Sequence, residues 1–218
     1  MAWLASLLSV VLIGSAPAAF TPKVTNPWLP LRPGMRWVYA GTKDGKPTRD
    51  VVTVSGKTIV IAGANCIVVS DRLYEADKLE ERTSDYYTQD RAGNVWYFGE
   101  DTAELNAAGK VTSTEGTWRA GRMGAKPGIF MPAHPRVGQT GRQEYLAGHA
   151  EDHFRVVSLH ATVHVPYGSS TTALETREWT PLEPGTLDQK VYVRGVGVVK
   201  EASLKGPVER NLLVSFSG

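Results

Sequence analysis

Two runs near the start of the chain decide the fold class: Arg36-Trp37-Val38-Tyr39-Ala40-Gly41 and Arg49-Asp50-Val51-Val52-Thr53-Val54-Ser55, with Lys43-Asp44-Gly45-Lys46 between them. Both runs are rich in β-branched and aromatic residues. An Asp-Gly pair in a short polar connection is the strongest local signal for a hairpin turn. Ser55-Gly56 then predicts a further turn into residues 57–62. The same unit, a strand-length run closed by a Gly- or Asp-containing turn, recurs along the chain. Residues 65–73 and 79–89 are strands around Glu75-Ala76-Asp77-Lys78, and Asp90-Arg91-Ala92-Gly93-Asn94 turns into residues 95–98. Ala107-Ala108-Gly109-Lys110 is another turn, and strands resume at 142–146, 153–165, 173–179, 190–194, 196–204 and 209–216. Helical periodicity is absent after the leader.

The connections are short, which favours antiparallel pairing, because parallel strands need long crossovers. About a dozen strands in a meander are too many for a flat open sheet, which twists and curls at that width. The sequence therefore predicts an all-β, antiparallel meander forming a barrel or curled half-barrel, with a two-sheet sandwich as the alternative. Residues 116–141, with six glycines and three prolines, predict a long irregular segment containing one short apolar piece, Ile129-Phe130-Met131. Long loops of this kind are often functional.

The first residues have a different character. Leu4 to Ile13 form a short apolar run followed by Ala16-Pro17-Ala18, which matches the small-residue pattern of a secretory cleavage site. Residues 1–18 are thus expected to be a signal peptide and 19–218 a single all-β domain, secreted or otherwise extracytoplasmic. No later stretch is long and apolar enough to span a bilayer as a helix. The net charge is +2 with both signs interspersed, so nucleic acid and acidic membrane surfaces are poor partners. The single cysteine, Cys66, lies in an apolar strand and predicts a buried small hydrophobe, so the fold is held by its core.

Asn26-Pro27-Trp28-Leu29-Pro30-Leu31-Arg32-Pro33-Gly34-Met35-Arg36-Trp37-Val38-Tyr39 resembles the opening of a group of secreted bacterial β-rich proteins, in which a Pro-Gly turn leads into a Trp-Val-Tyr first strand. The stretches from Gln89 to Thr102 and from Glu178 to Gly185 extend the resemblance. It implies an exported β fold and no particular activity. Gly34-Met35-Arg36-Trp37 is similar to the Gly-x-Trp of lipocalins with one extra residue, which implies a barrel-like shape only.

All five histidines fall between His134 and His164, and His149-Ala150-Glu151-Asp152-His153 is the densest cluster. In an extended chain His149, Glu151 and His153 share a side. That donor set suits a divalent transition metal, with His134 or Glu144 as a further ligand. In the strand that follows, Val157, Leu159, Ala161, Val163 and Val165 share a face. Carried backwards without interruption, that face includes Arg155 and His153, whereas a β-bulge near Phe154 would reverse the phase. Carboxylate pairs of the glycosidase type find no support, since Glu100 and Asp101 are adjacent and point to opposite faces. Gly-x-Ser-x-Gly, Walker and His-Glu-x-x-His motifs are absent.

Strand aromatics set beside polar groups suit an apolar or sugar-like ligand. Trp96 and Tyr145, with Glu144 and Arg155, are the candidate ligand-binding residues. Three functions follow: a secreted carrier holding an apolar or mixed small-molecule ligand on a concave sheet, a metal-dependent enzyme or metal-binding protein using His149, Glu151 and His153, and a cell-envelope interaction module.

Overall fold

The computed structural model describes residues 20–218, so the leader assigned to residues 1–18 lies outside it. Among the described residues there is no helix, and every strand belongs to one antiparallel sheet. The first meander runs β1 (Arg36–Lys43), β2 (Lys46–Ile61), β3 (Ala64–Glu75), β4 (Lys78–Gln89) and β5 (Val95–Leu105). Its first three turns are two-residue connections in which both central positions are left-handed: Asp44 and Gly45, Ala62 and Gly63, Ala76 and Asp77. That geometry matches the twist of the flanking strands. The second meander runs β11 (His153–Val165), β12 (Gly168–Trp179), β13 (Leu187–Val193), β14 (Gly197–Lys205) and β15 (Glu209–Ser217). β15 pairs with β1, from Arg36↔Ser217 to Lys43↔Glu209, and fuses the two meanders.

The chain between the meanders brings the outer edges together. β6 (Val111–Ser113), β7 (Trp118–Arg119) and β8 (Lys126–Met131) line the free edge of β5 in turn, and β10 (Glu144–Tyr145) adds to β8. β9 (Thr140–Arg142) instead pairs with β11 at the opposite edge. Only Gln143 separates β9 from β10, so the two edges lie side by side and the sheet is nearly closed into a barrel with one unsealed seam. Gly128 permits the crossing: a Cβ there would lie 2.3 Å from the Arg142 carbonyl oxygen.

Three sequence expectations are corrected. Residues 116–141 carry β7, β8 and the start of β9, and they form wall as well as loop. Ser55-Gly56 is not a turn, because β2 continues through it with a register shift between Val54 and Thr58 that absorbs the extra residues. Residues 142–146 are not one strand but are divided across the seam.

One end of the barrel is closed by the segment leading to β1. Asn26, 2% exposed, clamps it: its side-chain amide donates to the carbonyls of Gly93 and Pro132, both at 3.0 Å, and its Oδ1 accepts from the Trp28 amide. The Pro27 carbonyl accepts from Gly195 on the other side. Held between these anchors, Val24, Trp28, Leu29, Leu31 and Met35 are buried against Trp37, Tyr39, Val69, Tyr192 and Leu213. The Pro33-Gly34 turn, with Gly34 left-handed (φ 90°), then starts β1.

A second core lies outside the sheet, where residues 118–125 fold over β3 to β5 and bury Cys66, Tyr86 and Phe98. Cys66 is fully buried as expected, and burial pushes its thiol up to about 12. It is therefore a packing residue with little thiolate character.

Candidate functional site

Side chains that point into the barrel follow from the register. On β1 they are Trp37 and Tyr39, which face Val52 and Asp50 of β2. Val52 pairs with Asp71 of β3, while Val69 pairs with Asp85 of β4, which pairs with Glu100 of β5. Each inward-facing row is thus apolar toward the closed end and acidic toward the other. The resulting cavity, about 310 Å³, has Leu29 and Leu31 of the closing segment, Trp37, Tyr87, Phe130 and Val198 as its apolar part. Tyr87 and Tyr97 stack at 4.8 Å, and Phe130 meets both edge-on. Asp50, Asp71, Asp85, Glu100, Glu144 and Glu201 supply the acidic part. A second cavity of about 400 Å³ adjoins it toward the open end, rimmed by Lys43, Glu81, Asp188, Lys205 and Glu209. Asp50, Asp71, Glu201 and Asn211 line both, so they form the waist between them.

Burial in this band disfavours ionised carboxyls. It pushes Asp85 up to about 7, with Asp71 adding to the effect and the Tyr97 hydroxyl, which donates to Asp85 at 2.7 Å, opposing it. Glu100 is pushed up to about 9 by burial and by Asp85 directly across the strand pair. Glu144 is raised to about 8 by burial and by Asp152. Burial raises both Asp50 and Asp71 above the usual carboxylate range, and the charge of Asp50 adds to the effect on Asp71.

Among the described residues, Lys190 is the single cation lining the inner cavity. Its ammonium lies 3.0 Å from Glu178 Oε2 and 3.4 Å from Glu201 Oε1. Burial pulls its pKa down, but Glu178 and Glu201 outweigh that and hold it above the ordinary lysine value. Glu178 also accepts from Thr176 at 2.9 Å and Tyr192 at 3.3 Å, so Lys190 is fixed by a fully engaged partner.

Of the ligand-binding residues expected from sequence, Glu144 alone lines this cavity. Trp96 has the opposite phase to Tyr97 on β5, and its indole donates to Asp90 at 2.8 Å. Tyr145 lies between Lys126 and Arg142, whose cations sit over its ring. Arg155 is exposed, because a register shift between Val156 and Ser158 of β11 places Phe154 and Val156 in the core. That shift also turns His153 away from the lumen. Its ring stacks on Trp179 at 5.6 Å, and its Nδ1 is 2.8 Å from the Glu151 carbonyl oxygen. Glu151 accepts instead from the Gly148 amide, and His149 is exposed. The three expected metal ligands are not brought together, and among the described residues no group of three or more His, Cys, Asp or Glu side chains is placed to hold a metal.

The fold and cavity define a class: an antiparallel barrel with one seam, plugged at one end and open at the other, with a lumen of small-molecule size. No protein-family model matches the chain, and no curated protein matches it. A protein of Bacteroides fragilis regarded as exported and carrying a YmcC-like fold is similar over 89% of this chain and 100% of its own, with a TM-score of 0.51 and 15% identity. That likeness shows a common fold. A protein of Parabacteroides distasonis regarded as a lipoprotein matches over 88% of this chain and 99% of its own, with a TM-score of 0.44 and 8% identity.

Proposed function

We propose that the chain is an exported carrier that holds a small apolar or amphiphilic molecule inside its barrel. The observation that supports this reading is the lumen: a cavity of about 310 Å³, closed by Leu29 and Leu31 and walled by aromatics, that continues into an open polar mouth. Binding sites of small molecules are concave, mostly apolar and supplied with a few placed polar groups, starting at about 300 Å³. A core built for stability alone would fill this space, because protein interiors pack as densely as organic crystals.

Titration with the neutral fluorescent probe N-phenyl-1-naphthylamine tests the reading. Saturable binding of one probe per chain is expected, and Val69→Trp, which fills the cavity from β3, should abolish it. Absence of saturable binding to the wild type, or binding that survives Val69→Trp in a folded variant, overturns the proposal.

A further inference from the structure

We infer that the ligand of this cavity is a cationic amphiphile, its protonated amine seated between Asp50 and Asp71 at the waist and its tail in the apolar inner cavity. The inference rests on the carrier reading above and adds the ligand's charge and orientation.

Three features of the waist point to a cation. Its position is the first. Asp50, Asp71 and Asn211 lie where the polar mouth meets the apolar chamber, the level at which an amphiphile entering head-last would leave its head group. The second is charge. Lys190 is committed to Glu178 and Glu201 on β12 and β14, and among the described residues no cation lining the inner cavity is paired with Asp50 or Asp71. Tyr39 of β1, Glu81 and Asp85 of β4 and Glu201 of β14 also face this pair, and Lys43 stands only at the rim of the mouth. The third is hydrogen bonding. Asp50 Oδ1 and Asn211 Oδ1 are buried atoms with no donor among the described residues. Both are acceptors, and an ammonium offers three donors.

Two buried carboxyls without a cation resist ionising together. An ammonium placed between Asp50 and Asp71 supplies the missing counter-charge. A neutral alcohol can hydrogen-bond to either carboxyl but supplies no counter-charge. A carboxylate head group supplies no counter-charge and is repelled by the ionised members of the band.

The test is displacement of N-phenyl-1-naphthylamine by decylamine, decanol and decanoate, which share a tail and differ in head charge. At pH 7.5 decylamine is expected to bind at least tenfold more tightly than decanol, and decanoate more weakly than either. The preference should collapse in Asp50→Asn/Asp71→Asn, with decanol affinity retained. In the wild type it should widen as the pH rises from 5.5 to 8, since the amine stays protonated over that range while the carboxyls become easier to ionise. Equal affinity for decylamine and decanol, or a preference unchanged by the double variant or by pH, refutes the charge assignment and leaves the carrier reading standing. If the probe and all three competitors fail to bind, the carrier reading itself falls.

Discussion

Removing the Lys190 ammonium should be among the most damaging changes available in the lumen. In Lys190→Met the side chain keeps its bulk and loses its charge, leaving Glu178 buried without a counter-ion. Lys190 is 19% and Glu178 9% exposed at the side chain, so water screens little of their interaction. Breaking a buried pair from one side typically costs about 3–5 kcal/mol, because the remaining charge has lost its compensation. Glu201, with a side chain 41% exposed, adds less, which places the expected loss near the lower bound, about 3 kcal/mol. Urea unfolding at pH 7, followed by tryptophan fluorescence, measures it, with an unchanged denaturant slope as the sign that only stability has moved. Glu178→Gln in the same background should restore most of the loss, since the amide oxygen can still accept from Thr176 and Tyr192. A loss below about 1 kcal/mol, or a double variant no better than the single one, would refute the view that Lys190 compensates the buried charge of Glu178.

Other perturbations bear on the acidic band, the plug and the seam. Asp85, Glu144 and Glu100 titrate higher in the folded chain than in the unfolded one, so the folded state holds more protons and stability should fall as pH rises from 5 to 9. Each such group lowers stability by up to about 1.4 kcal/mol per pH unit until its folded pKa is passed, and a flat or rising series of denaturation midpoints contradicts this. Asn26→Ala removes the plug's clamp and should cost roughly 2 kcal/mol or more, with faster amide exchange across residues 24–35; unchanged exchange there would count against the clamp. Gly128→Ala drives a methyl group into the Arg142 carbonyl, so limited proteolysis between residues 132 and 145 should accelerate, and resistance equal to wild type would mean that the seam tolerates separation.

The strand pattern of residues 36–105 could be read from the chain because each hairpin carries its own turn chemistry, as at Asp44-Gly45. The wall formed by residues 118–131 could not, since β7 and β8 are short and are held by pairing to a distant β5 rather than by their own periodicity. The lumen was legible in kind but not in place. A row that turns from apolar to charged along one face marks the mouth of a cavity, and that pattern is carried by Val54, Val52 and Asp50 and by Ile67, Val69 and Asp71. Applied to β11 without interruption, the same argument fails at the register shift after Val156, and the local sign of that β-bulge is Phe154 and Val156, apolar on the opposite phase. The pairing of Asp85 with Glu100, which makes the band acidic enough to hold protons, depends on register between strands and has no signature within either one.

The pairing of β1 with β15 has a kinetic meaning. Neighbouring strands of each meander meet across a few residues and can associate within microseconds, but Arg36 must find Ser217 across nearly the full length of the described chain. Contacts of such long sequence separation carry a large loop-closure entropy before they return any stability, and folding slows accordingly. Until that last zipper closes, β1 and the strand destined to meet it each expose an unpaired edge, and the molecule is most open to pairing with the wrong partner during that interval.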